Sequence, residues 1–173
     1  DYLGADGWKT DAANLLPNGR WLVGAYVVDG TVTTRLASPS DTWIYVGGGQ
    51  LNNGSINDSF DAAKVTSGGF LSTLTTVDTV SPSFAGYGYA AAANQLFVFG
   101  GQNSTPSAGG RSIQLCGVGT GCGALPALDN WNAGITLNIA RYLMASTVAS
   151  ANIFIVGGQG ATAPLNSVEQ TVW

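Results

Sequence analysis

Three copies of one short motif constrain this chain more than anything else in it. Ile44-Tyr45-Val46-Gly47-Gly48-Gly49-Gln50 returns as Leu96-Phe97-Val98-Phe99-Gly100-Gly101-Gln102, and again as Ile153-Phe154-Ile155-Val156-Gly157-Gly158-Gln159. In each copy a run of aliphatic and aromatic residues stops at a Gly-Gly-Gln corner. Ile44 and Leu96 are 52 residues apart, and Leu96 and Ile153 are 57 apart. A run this short reads as a buried strand, because a helix of that length would bury too little. The paired glycines let the backbone turn, or pack closely, where a Cβ would clash. A period of roughly 50 residues built on such a unit predicts a radial or stacked β architecture.

The flanks of the motif repeat as well. Trp8 leads through Leu15-Leu16-Pro17 to Arg20-Trp21-Leu22-Val23-Gly24-Ala25, and Trp131 leads through Ile135, Leu137 and Ile139 to Arg141-Tyr142-Leu143-Met144-Ala145. The middle copy has Phe70-Leu71 in place of the Trp and Phe84-Ala85-Gly86-Tyr87 in place of the Arg-aromatic pair. The unit therefore reads as four strands. The first is rich in small residues (90–93 and 145–149), as expected where strands crowd around an axis. The second ends at the corner, and the third covers 59–66, 111–116 and 166–172. The fourth is expected to begin near the aromatic at 8, 70 or 131. The stretch 30–41 is an insertion between the first and second strands of the first unit.

A hydrophobic strand, Gly-Gly, a third strand such as Asn166-Ser167-Val168-Glu169-Gln170, a Trp and then Arg-aromatic before the next strand: this order resembles the kelch repeat. The resemblance covers nearly the whole chain, and it departs from the family pattern at Phe70 and Phe84. It implies an all-β fold, a kelch-like β-propeller segment of about three four-stranded antiparallel blades, with units at 8–69, 70–130 and 131–173. Gly48, Gly49, Gly100, Gly101, Gly157 and Gly158, with Trp8, Trp131 and Trp173, are the structural repeat positions. Trp173 stands where a fourth strand is expected to begin. Three repeats are too few to close a ring, and an open arc leaves a sheet face and strand edges uncovered. The chain is thus expected to need a neighbour. Further blades of a longer propeller, a second copy making six blades, or an open stack against another chain would each serve.

The totals narrow the function. Charged residues make up 9% of the 173-residue chain, against roughly 25% in soluble globular chains. The cations are Lys9, Lys64, Arg20, Arg35, Arg111 and Arg141, with a net charge of −4, so no clustered basic patch exists to displace counterions and nucleic acid is not an expected partner. No apolar run approaches the roughly 18 residues that span a membrane as a helix. The chain opens on Asp1, which reads as a mature or partial product. Histidine is absent, which removes the commonest general base and the commonest metal ligand. No metal, cofactor or catalytic residue is expected.

Cys116 and Cys122 bracket Gly117-Val118-Gly119-Thr120-Gly121 and are expected to close a loop by a disulfide, which points to an oxidising compartment. The alternative, a zinc site, lacks ligands. Asn53, Asn57 and Asn103 each begin an acceptor sequon for N-linked sugar directly after a corner. Arg20 with Trp21, and Arg141 with Tyr142, are candidates for contacting a sugar ring or a peptide at that same end. The plainer reading of Trp21 and Tyr142 is core packing, and that of Trp8, Trp131 and Trp173 is packing between units. Asp41, Asp58, Asp61, Asp78 and Asp129 are loop acids whose spacing singles out no catalytic pair.

These features suggest a non-catalytic extracellular or cell-surface structural or recognition module that assembles with further blades or subunits. The alternative is a segment of a secreted carbohydrate-active enzyme whose catalytic residues lie outside these 173. Some kelch-type propellers are copper radical oxidases, but their chemistry needs histidines.

Overall fold

A computed structural model describes residues 15–80 and 83–173. The position of Trp8 lies outside the described residues, and so does the strand expected there. The described residues hold fifteen strands and no helix: β1 (Arg20–Trp21), β2 (Gly24–Val28), β3 (Trp43–Gly47), β4 (Gln50–Leu51), β5 (Ser59–Lys64), β6 (Thr75–Thr79), β7 (Gly88–Ala92), β8 (Gln95–Phe99), β9 (Gln102–Asn103), β10 (Thr105–Pro106), β11 (Gly110–Leu115), β12 (Leu128–Ala133), β13 (Ala145–Ala149), β14 (Asn152–Val156) and β15 (Val168–Val172).

They form three main antiparallel sheets in chain order. The first runs β2-β3-β5-β6, the second β7-β8-β11-β12, and the third β13-β14-β15. None closes on itself. Two-residue ribbons, β1 with β4 and β9 with β10, complete the pairing. The registers of the three sheets superimpose: Gly24 opposes Gly47, Gly88 opposes Phe99, and Ala145 opposes Val156. One expectation fails at the edge of the first sheet. Its fourth strand is β6, whereas Phe70 lies in the turn before it with 61% of its surface exposed. In the second sheet the expectation holds, since Trp131 is inside β12.

The sheets stack face against face in sequence. Tyr26, Val28, Tyr45, Phe60 and Ala62 of the first meet Leu96, Val98, Ile113 and Leu115 of the second. Ala90, Ala92, Phe97 and Phe99 on the other face of the second meet Ile153 and Ile155 of the third. The first strands lie side by side, β7 having β2 on one flank and β13 on the other. The Tyr26 hydroxyl donates to the Phe97 carbonyl at 3.2 Å, and the Phe60 and Trp131 rings meet edge-on with centroids 5.0 Å apart. Both contacts join the first sheet to the second.

Small residues set this spacing. A Cβ on Gly24 would sit 2.7 Å from the Tyr87 ring, and one on Gly88 3.1 Å from Ile155 and Met144. A larger first-strand residue at either place would hold the sheets apart.

Candidate functional site

The Gly-Gly-Gln corners and the links that enter each first strand meet at one end of the sheets. All six corner glycines have left-handed backbones, with φ of 59° and 102° at Gly48 and Gly49, 62° and 81° at Gly100 and Gly101, and 63° and 100° at Gly157 and Gly158. Residues with a Cβ are sterically strained there. The second glycine of each pair also lies under the entering link. A Cβ would stand 2.6 Å from the Trp21 carbonyl at Gly49, 3.2 Å from that of Ala85 at Gly101, and 2.8 Å from that of Tyr142 at Gly158. The corner glutamine pairs with that same link residue each time: Gln50 with Trp21, Gln102 with Ala85 and Gln159 with Tyr142.

One residue further on, Leu22, Gly86 and Leu143 are left-handed too, at 56°, 62° and 53°. They join the three links in series. The Gly86 N–H donates to the Leu22 carbonyl at 3.1 Å, and the Leu143 N–H to the Gly86 carbonyl at 2.6 Å. No sequence rule marks leucine for this conformation, so the series is visible only in the structure.

Beneath the links lie the two arginines. Arg141 is fully buried and donates to Glu169 Oε1 and Ser167 Oγ, at 2.6 and 2.9 Å, and to the Gly157 and Ser167 carbonyls, at 2.9 and 3.2 Å. Arg20 does the same in the first sheet: its buried guanidinium binds Asp61 and Ser59, and donates to the Val46 carbonyl at 3.1 Å. Thr76 Oγ1 completes the Asp61 carboxylate at 2.6 Å. Ser59 and Ser167 occupy one repeat position, Asp61 and Glu169 another. In the second sheet Phe84 takes the arginine's place, and Gly109 and Arg111 take those of the serine and the acid. The arginine and its carboxylate are lost together, as a buried charge requires.

The guanidinium groups are thus committed inside the sheets, and what the rim offers outward is apolar. Trp21 is 55% exposed, Leu143 is 52% exposed and Tyr142 is half-buried. A shallow hollow of about 250 Å3 lies among Leu22, Val23, Tyr87, Tyr89, Leu143 and Met144. Trp131 sits between the first two sheets, and Trp173 is 37% exposed at the end of the third.

The sequons separate by exposure. Asn53 and Asn103 are exposed, and Asn53 Oδ1 accepts the Ser55 N–H at 3.0 Å. Asn57 is buried, its amide donating to Ser59 Oγ at 3.0 Å and accepting the Ser59 N–H at 3.2 Å. At the opposite end Cys116 and Cys122 form a disulfide, with an S–S distance of 2.12 Å. The link between β2 and β3, which contains the insertion at 30–41, reaches across to that loop and to the β7–β8 turn. Val118 N–H donates to the Arg35 carbonyl at 3.2 Å, Asn94 N–H to the Val32 carbonyl at 2.9 Å, and Arg35 to the Leu115 carbonyl. It straps the first sheet to the second.

Of the acids expected in loops, Asp61, Asp78 and Asp129 lie instead in β5, β6 and β12, and Asp61 is paired with Arg20 while Asp41 is paired with Lys64 at 2.8 Å. Among the described residues no three His, Cys, Asp or Glu side chains come together as a metal-holding group, and no helix is long and apolar enough to cross a membrane.

No protein-family model matches the sequence, and no curated protein matches it. Among solved structures the chain is similar to one titled "Structure of YjhT", at a TM-score of 0.56 and 16% identity, over 80% of this chain and 44% of that one. The chain spans less than half the length of that protein, and at this identity the likeness speaks to the fold alone.

Proposed function

We propose that the chain is a sector of a kelch-like β-propeller that serves, outside the cytoplasm, as a non-catalytic structural or recognition module. The observation that carries this reading is the series Leu22–Gly86–Leu143, which ties three entering links side by side over three sheets with one shared register. That arrangement supports rotation of a repeat about a common axis. The disulfide and the low charge support an oxidising, extracellular setting. The function falls to the rim, where Trp21, Tyr142 and Leu143 present an aromatic and aliphatic surface of the kind that takes a sugar ring or an apolar peptide segment.

The test is titration with a panel of neutral oligosaccharides and apolar peptides, following tryptophan fluorescence, with product analysis of the same mixtures. Saturable quenching that Trp21→Ala abolishes, with every ligand recovered unchanged, is the expected result. Turnover of any member of the panel would contradict the reading.

A further inference from the structure

The chain contains two Asn-Gly pairs, Asn18-Gly19 and Asn53-Gly54, and the structure holds them in opposite ways. We propose that Asn18 is a site of spontaneous modification, deamidating through a succinimide to aspartate and isoaspartate in the folded protein, while Asn53 is protected. This goes beyond the proposed function and does not rest on it.

The chemistry needs only water. The backbone nitrogen of the glycine gives up its proton to solvent base and attacks the side-chain carbonyl carbon of the preceding asparagine. The bond from that carbon to the side-chain nitrogen breaks, and the nitrogen takes up a proton and leaves as ammonia. Water then opens the cyclic imide at either carbonyl. One opening gives aspartate, and the other gives isoaspartate, in which the main chain runs through the side-chain carbon. Glycine favours the attack because it puts no Cβ in the way and its backbone turns freely. The fold must meet two demands: the glycine N–H has to be free of an acceptor, and the asparagine has to be free to rotate onto it.

Asn53-Gly54 meets neither. The Gly54 N–H donates to the Leu51 carbonyl at 2.9 Å, and Asn53 Oδ1 accepts the Ser55 N–H at 3.0 Å. Gln50 Nε2 also donates to the Gly54 carbonyl, at 2.8 Å. The attacking nitrogen and the side chain it must reach are each held by a bond of their own. Asn18-Gly19 meets both demands. Both residues are exposed, and among the described residues neither the Asn18 side chain nor the Gly19 N–H has a hydrogen-bond partner. A Cβ on Gly19 would have nothing within 4 Å.

The repeat gives the physical reason. Asn18 and Gly19 hold the positions of Ile139 and Ala140 in the link entering the third sheet. There Glu169, besides binding Arg141, accepts the Asn138 N–H at 2.6 Å and the Ile139 N–H at 3.1 Å. Both halves of that anchor are gone in the first sheet. Pro17 stands at the position of Asn138 and has no N–H to give. Asp61, one methylene shorter than Glu169, is engaged by Arg20 and by Thr76 Oγ1 at 2.6 Å. The link is therefore fixed from Arg20 onward and unanchored just before it. The openness belongs to this repeat position, since Ile139 is 44% exposed although the second sheet stands before it. Conversion of Asn18 adds one negative charge to a net of −4, and the isoaspartate form lengthens the main chain beside Arg20 and Trp21.

The test incubates the folded chain in mildly alkaline buffer and follows isoaspartate at residues 18 and 53 by peptide mapping and by enzymatic methylation of isoaspartate. Each hydrogen bond that must open is worth about five-fold in an equilibrium, so the two that hold the reacting groups of Asn53-Gly54 predict conversion roughly 25-fold faster at residue 18. In strong denaturant the two rates are expected to converge. Gly19→Ala, whose methyl group enters open space, is expected to suppress conversion at residue 18 and to leave residue 53 unchanged, with near-ultraviolet circular dichroism confirming the intact fold. A folded-state ratio below about five, one broken bond's worth, would overturn the proposal. So would a ratio that persists in denaturant, since flanking residues and not the fold would then set it, or conversion at residue 18 that Gly19→Ala leaves unchanged.

Discussion

The Ser146 hydroxyl accepts the Tyr89 N–H at 2.8 Å and donates to the Tyr89 carbonyl at 2.6 Å, so one side chain ties the first strand of the third sheet to the first strand of the second. With the Leu22–Gly86–Leu143 series and the Tyr26–Phe97 bond, it makes the contact between sheets a hydrogen-bonded one as well as an apolar one. Substitution, pH and glycosylation each probe a different part of that arrangement.

The buried ion pairs are the first. Breaking a buried pair by removing one partner costs about 3–5 kcal/mol, because the other charge is left uncompensated. Arg141→Ala is expected to destabilise the third sheet by that amount in chemical denaturation. Arg141→Met with Glu169→Gln in the same chain is expected to recover most of the loss, because no uncompensated charge is then left buried.

The corner glycines come next. A left-handed backbone costs a residue with a Cβ about 1–2 kcal/mol. Gly54, with φ of 86° and nothing within 4 Å of the place a Cβ would take, would show that cost alone on substitution by alanine. Gly49 and Gly158, at 102° and 100°, would add the collision with the Trp21 and Tyr142 carbonyls. Thermal melts should therefore rank Gly49→Ala and Gly158→Ala well below Gly54→Ala.

Tyrosine ionisation sets the alkaline limit. Burial raises Tyr26, Tyr45 and Tyr87 above the ordinary value near 10. In the unfolded chain these phenols ionise near 10, while in the folded chain they stay protonated to higher pH. Their contribution to stability is thus complete below pH 10 and is lost as the pH rises through the folded values. Absorbance at the tyrosinate band should show these three ionising together with unfolding, and denaturant midpoints should fall progressively above pH 10.

Glycan attachment should follow exposure. Expressed through a glycosylating secretory pathway, the chain is expected to carry sugar at Asn53 or Asn103 and none at Asn57, whose amide is buried against Ser59. Peptide mapping after enzymatic deglycosylation reads this directly.

How far the sequence reveals this arrangement differs from feature to feature, for physical reasons. The second strands are legible because an apolar run closed by two glycines has few other uses, and the first strands because small residues recur before each run. The cysteine loop is legible from six residues of separation and the absence of any other thiol. The fourth strand of the first sheet is not where its aromatic suggests. Phe70 resembles the counterpart of Trp131, but β6, Thr75-Thr76-Val77-Asp78-Thr79, carries a β-branched pattern that outweighs one aromatic in a glycine turn. The arginines read as a rim platform because their carboxylate partners lie 41 and 28 residues away, too far for local spacing to reveal. The left-handed leucines carry no signal at all, since their conformation is imposed by the neighbouring link.

The three sheets are joined side by side through their entering links and first strands. Residue-resolved amide hydrogen exchange of the folded chain tests it most directly, at Gly86, Tyr89 and Leu143, whose N–H groups bond only across sheets. All three are expected to be protected to the level of the strand interiors, and Ser146→Ala is expected to release Tyr89 alone. Exchange at loop rates at these three positions, while amides within each sheet stay protected, would contradict it.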